Sequence, residues 1–143
     1  DQWQALCKDP ALAHAAVEEA LRYEPITPFT ARILVEDLEY RDVLFPKDTI
    51  LLVCSFTANR DGEDHEELQR FSITKQRDIG KPLTFGAGVH YCLGANLARA
   101  ELGEALGFFS ERVQSIELDG EPVYEGVQGV YGLAQLPLRM ERA

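Results

Sequence analysis

Gly86 and Gly88 on one side and Gly94 on the other bracket a single cysteine, Cys92, just where a helical pattern begins. Glycine lets the backbone turn tightly and approach a flat group without side-chain collision. The helix that follows is predicted from about 95 to 111, with Ala98, Leu102, Ala105 and Phe109 at helical spacing on one face. The mouth of a helix presents free N–H groups and the positive end of its dipole, so an anion is favoured there. His90 stands two residues before the cysteine as a donor from the same loop. A chain of this kind must fold so that a backbone-shaped loop delivers one sulfur to a helix start.

The rest of the chain supplies short elements around that loop. Asp9-Pro10 starts a helix, since Asp caps and Pro suits the first turn. Leu12, Ala16, Ala20 and Tyr23 line one side of it, and Pro25 ends it at about residue 24. Strands are predicted over Thr30 to Val35, Leu38 to Tyr40, Val43 to Phe45 and Ile50 to Cys54, separated by turn residues. Residues 59 to 82 are polar and read as a long ordered loop with one short helix. Strand-like pieces follow at Val113 to Leu118, Val123 to Tyr124 and Ala134 to Leu138. The expected class is α+β, a single segment over 1–143 with two main helices, short β-strands and a long loop.

Composition narrows the function. The 143 residues carry 45% hydrophobic and 27% charged side chains, ordinary for a globular chain with a core. The net charge of −10 speaks against nucleic acid and against anionic membranes as partners. The longest apolar run, Ile50 to Cys54, is strand-sized, so no membrane span is expected. Cys7, Cys54 and Cys92 make a poor disulfide framework and suit a reducing cytosol, so a cytoplasmic location is expected. The chain opens without Met or a signal pattern and is expected to begin inside a longer polypeptide.

A free cysteine is more often a small core residue than a ligand. That plain reading suits Cys54, in an apolar strand, and Cys7. For Cys92 the glycines and the helix start favour function. A nucleophile paired with His90 is open, although no orienting acid is evident. A zinc site wants about four ligands, and no paired spacing supplies them. Gly86-Ala87-Gly88 lacks the third glycine of a dinucleotide fingerprint, and no Gly-Lys-Ser/Thr follows. Cysteine thiolate is one of the few protein groups that ligate haem iron.

Phe85-Gly86-Ala87-Gly88-Val89-His90-Tyr91-Cys92-Leu93-Gly94 resembles the haem-binding signature of the cytochrome P-450 family. The resemblance implies the C-terminal part of a mainly-α fold of the bacterial type. It makes Cys92 the catalytic axial ligand of the iron of haem b, iron protoporphyrin IX. It places Phe85 near the sulfur, His90 on a haem propionate, and Gly86 and Gly94 in the cofactor-binding loop. Glu19-Ala20-Leu21-Arg22 resembles the family's Glu-x-x-Arg pair, whose i, i+3 spacing puts both charges on one helix face. Gln69-Arg70-Phe71 resembles the element that brings an arginine, here Arg70, to Glu19 and Arg22 as a structural triad. Glu66 and Leu68 depart from the prolines that many bacterial members carry there.

By the same resemblance Arg32 joins His90 on a propionate. Thr27, Pro28 and Phe29 face substrate, and so does the late turn Gly129-Val130-Tyr131. The implied function is a monooxygenase that inserts one oxygen atom from O2 into a small organic substrate, with electrons from a ferredoxin-type donor. The donor is expected behind Cys92, near Lys75, Arg77, Lys81 and Arg99. The segment implied to carry the oxygen-activating helix lies upstream. This chain alone is therefore expected to be inactive and to associate with that missing part or with itself. The alternatives are a non-catalytic module of the same fold, or a haem-free fragment that binds a partner protein.

Overall fold

The computed structural model describes residues 1–75, 81–126 and 129–143. A helix absent from the sequence reading opens the chain. This is α1, Gln2–Lys8, whose first N–H donates to the Asp1 side chain at 2.8 Å. A 3-10 turn over Pro10–Leu12, capped by the Asp9 side chain, leads into α2, Ala13–Tyr23. The last bond of α2 runs from the Glu24 N–H to the Ala20 carbonyl, and buried Pro25 prevents a further turn.

Among the described residues, all the strands pair as antiparallel ribbons of two. β1, Phe29–Ile33, pairs with β4, Ile50–Cys54, and between them β2, Leu38–Tyr40, and β3, Val43–Phe45, form a hairpin. Arg41 and Asp42 both adopt positive φ, 49° and 63°, the conformation of the tight turn that matches strand twist. The first strand thus ends at Ile33 rather than continuing to Val35. β4 runs directly into a one-turn helix, α3, Ser55–Ala58, and α4, His65–Leu68, lies in the long polar loop.

The second long helix is α5, Ala95–Ser110. It packs on α2 and touches α1. The face it buries carries Ala95 and Ser110, with Leu106 against the core of Leu6, Ala16 and Ile73. The expected face of Ala98, Leu102, Ala105 and Phe109 is different: Ala98 is half-buried, while Leu102 and Phe109 are 43% and 42% exposed. Apolar residues occur on every side of this helix, so periodicity alone cannot select a face.

After α5, β5, Val113–Leu118, pairs with the last strand, and β6, Val123–Tyr124, pairs with β7, Leu133–Gln135. The single strand expected over Ala134 to Leu138 is two strands. Pro137 separates β7 from β8, Leu138–Arg142, because proline brings no N–H to a ladder. The architecture is α+β.

Candidate functional site

The loop before α5 is shaped by its backbone. Leu83–Phe85 forms a 3-10 turn closed by Gly86 N–H to Leu83 O at 2.8 Å. Gly88–His90 forms another, closed by Tyr91 N–H to Gly88 O at 3.1 Å. Gly86 and Gly88 take φ of 74° and 70°, the left-handed region where a side chain is strained. The Cys92 N–H donates to the Phe85 carbonyl at 2.9 Å and ties the two ends of the loop together. Gly94 is different: its φ of −82° suits any residue, and a Cβ there would lie 3.9 Å from the Cys92 Sγ. Its contribution is open space beside the sulfur.

Cys92 is exposed and free of any disulfide. Beside it Val89 and Leu93 are bare, at 96% and 102% exposure. His90 is exposed on the same loop, and Arg32 is exposed on β1, where its Nη1 donates to the Ala31 carbonyl. Phe85 is half-buried and meets Tyr91 edge-to-face at 6.5 Å.

The Arg99 guanidinium lies over the Phe85 ring, 4.8 Å from its centre. Arg99 donates to Glu18 of α2 through Nε at 2.5 Å and Nη2 at 3.3 Å, and to the Tyr91 hydroxyl at 3.1 Å. The bond to Glu18 raises the pKa of Arg99 further above its ordinary value.

A buried polar junction anchors the other end of the loop. Arg22 gives Nε and Nη2 to the two Glu19 oxygens at 2.7 and 2.9 Å. Its remaining bonds reach three backbone carbonyls, Asn59, Leu68 and Arg70, at 3.3, 2.8 and 2.9 Å. Arg70 is itself exposed and enters this set through its carbonyl. Leu68 is buried, and its Cδ1 lies 2.7 Å from where a Cβ on Gly62 would stand, so the two sit in close contact within the polar loop.

Asn59 and Thr84 complete the junction, and neither stood out in the sequence. The Asn59 Oδ1 accepts from Leu83 N–H at 2.7 Å, and its Nδ2 donates to the Arg22 carbonyl and to Thr84 Oγ1. The Thr84 hydroxyl donates to the Leu21 carbonyl at 2.5 Å. The first turn of the cysteine loop is thereby fastened to α2. Arg60 closes the end of α2 by donating to the Tyr23 carbonyl, stacked between Tyr23 and Phe56. No periodicity marks such residues; an Asn followed by an Arg in a polar stretch reads as plain loop.

The residues expected near substrate converge in part. The Tyr131 N–H donates to the Ile26 carbonyl at 2.7 Å, which seats the late turn beside the segment after α2. Pro28, Phe29 and Tyr131 line a groove of about 280 Å³ with Glu24, Pro25 and Phe56. Thr27 and Val130 are not among its lining residues; the Thr27 carbonyl accepts from Ser55 Oγ, and Val130 is exposed.

Among the described residues, two of the basic side chains expected to meet an electron donor are paired with carboxylates. Lys75 pairs with Glu67 at 2.9 Å and Arg99 with Glu18, Lys81 is exposed, and Arg77 lies outside the described residues.

The donor set fits a haem held by one sulfur. The thiol is exposed at the mouth of a 16-residue helix, apolar side chains stand bare beside it, and two basic groups suited to carboxylates are exposed. Among the described residues no group of three His, Cys, Asp or Glu gathers as a multi-ligand metal centre would require.

A model of the family described as Cytochrome P450 matches residues 4–112. Luteothin monooxygenase of Streptomyces thioluteus is 40% identical over 144 residues, covering 100% of this chain and 35% of that protein. Cytochrome P450 107B1 of Saccharopolyspora erythraea is 41% identical over 123 residues, covering 85% of this chain and 30% of its own. Among solved structures, cytochrome P450 CYP109Q5 from Chondromyces apiculatus superposes with a TM-score of 0.89 at 33% identity, over 99% of this chain and 36% of that one. The tirandamycin C-bound P450 monooxygenase TamI gives 0.87 at 34% identity, over 99% of this chain and 36% of its own. The chain thus spans about a third of the length of these relatives. Both its sequence and its folded backbone place it with them: the chain belongs to the cytochrome P450 family.

Proposed function

We propose that this chain is the iron-ligating part of a haem-thiolate monooxygenase acting on a small organic substrate. The observation that carries the reading is the exposed Cys92 sulfur, set at the start of α5 by a loop with two positive-φ glycines. Family membership and relatives named as monooxygenases support it.

Each residue then has a task. Cys92 would hold the iron through Sγ. His90 and Arg32 would donate to a haem propionate, and Phe85, Gly86 and Gly94 would form the wall around the sulfur. Glu19, Arg22 and Arg70 keep that wall attached to α2. Thr27, Pro28, Phe29, Val130 and Tyr131 border the substrate side. Bound haem b supplies the activation of O2 that delivers one oxygen atom to the substrate.

The electron donor is a ferredoxin-type protein, and Lys81 on the face behind Cys92 is open to it. The protein works in the cytoplasm, in keeping with cysteines that are all free and with no described helix long and apolar enough to cross a membrane. The chain turns over only with the remainder of a longer polypeptide; alone, its bare apolar surfaces favour association.

The test is an absorbance spectrum of the reduced, CO-treated full-length holoprotein. A strongly red-shifted Soret band is expected, lost in Cys92→Ala and kept in Cys54→Ala. Identical iron spectra for the two variants would overturn the ligand assignment.

A further inference from the structure

The loop that carries Cys92 has little packing of its own. Val89, His90 and Leu93 are exposed, and Gly86 and Gly88 leave the backbone free to take other conformations. Yet a thiolate ligand is useful only if its sulfur stays in one place. Asn59 and Thr84 fasten the entry of the loop, at Leu83 and Thr84. One side chain grips the segment between them and Cys92 at two points. Arg99 covers the Phe85 ring and donates to the Tyr91 hydroxyl. Phe85 also holds Cys92 directly, since its carbonyl accepts the Cys92 N–H at 2.9 Å. The guanidinium is fixed in turn by Glu18 on α2.

We infer that Arg99 is a positioning residue for the Cys92 thiolate. It joins α2 and α5 to Phe85 and Tyr91, on the segment that leads into Cys92, through one partly buried guanidinium, and so keeps the sulfur available to iron. Its planar fork is what allows the two Glu18 bonds, the bond to Tyr91 and the stack on Phe85 together; lysine reproduces only the charge. This assigns Arg99 to the interior order of the site rather than to an open docking surface.

The inference rests on the haem-thiolate reading, and the experiment separates the two. Full-length holoprotein is reduced under CO, and the rate at which the red-shifted thiolate band converts to the unshifted, thiol-type band is followed with time. Arg99→Ala is expected to convert about tenfold faster than wild type, the scale of a lost charge-assisted hydrogen bond. Arg99→Lys is expected to recover part of this, remaining about threefold faster. Tyr91→Phe, which removes only the hydroxyl, is expected to convert about twofold faster. Arg112→Ala is the control. Arg112 also stacks on a phenylalanine, Phe108, and pairs with a glutamate, Glu111, but at the far end of α5, and its loss is expected to leave the rate unchanged. If Arg99→Ala fails to fold, Arg99→Lys and Tyr91→Phe decide. Wild-type rates in the Arg99 and Tyr91 variants, with the thiolate band present, overturn the role of Arg99 alone. A wild-type protein with no thiolate band overturns the haem-thiolate reading and this inference with it.

Discussion

The junction at Arg22 and the loop at Cys92 are joined through Thr84, yet they are built in different ways. At the junction the charged side chain of Arg22 is buried, and the carboxylate of Glu19 and the carbonyls of Asn59, Leu68 and Arg70 take its hydrogen bonds. In the loop the reactive side chain is exposed, and the backbone determines where it sits. A buried charge tolerates no missing partner, because water cannot replace it. An exposed thiol carries no such penalty. The first region is therefore where stability is vulnerable, and the second is where function is vulnerable.

The comparison can be broken by substitution in full-length protein. Arg22→Ala removes the buried cation that bonds both Glu19 oxygens and three carbonyls, and is expected to destabilise the fold by about 3–5 kcal/mol. Denaturant unfolding measures it, and a loss below about 1 kcal/mol would mean that the junction is not the structural anchor. Thr84→Val removes one hydroxyl shared by Asn59 and Leu21, and the expected loss is about 1–3 kcal/mol, read the same way. Gly86→Ala forces a Cβ into positive φ, for about 1–2 kcal/mol, and is also expected to lower the fraction of protein showing the thiolate band. Cys92→Ala is the opposite extreme. The apoprotein should unfold within about 0.5 kcal/mol of wild type, while thiolate ligation is lost completely. A large stability loss there would show that the loop, too, is a structural anchor.

Much of this was legible in the chain itself. Asp9-Pro10 and Pro25 bounded α2 closely, and the glycines around Cys92 announced a backbone-shaped loop ahead of a helix. The i, i+3 spacing of Glu19 and Arg22 put both on one face, but burial could not be read from it, because most such pairs are solvated. The buried face of α5 was misread since every side of that helix carries apolar residues. α1 was missed because a two-turn helix gives too short a pattern to separate from loop. Asn59 and Thr84 gave no signal at all: a polar residue in a polar stretch becomes structural only when distant carbonyls arrive around it.

The order of residues alone determined the local chemistry. It placed one cysteine at the head of a helix, two glycines where positive φ is needed, and an acid and a base one turn apart, all of which depend on near neighbours in the chain. Folding decided which of those groups meet across the chain. Arg22 found carbonyls as far away as Arg70, Arg99 was drawn from open surface onto Glu18 and Phe85, and Cys92 alone among these was left facing outward. The physical reason is burial: water serves any exposed polar group, but a group taken out of water needs partners that only the packed chain brings.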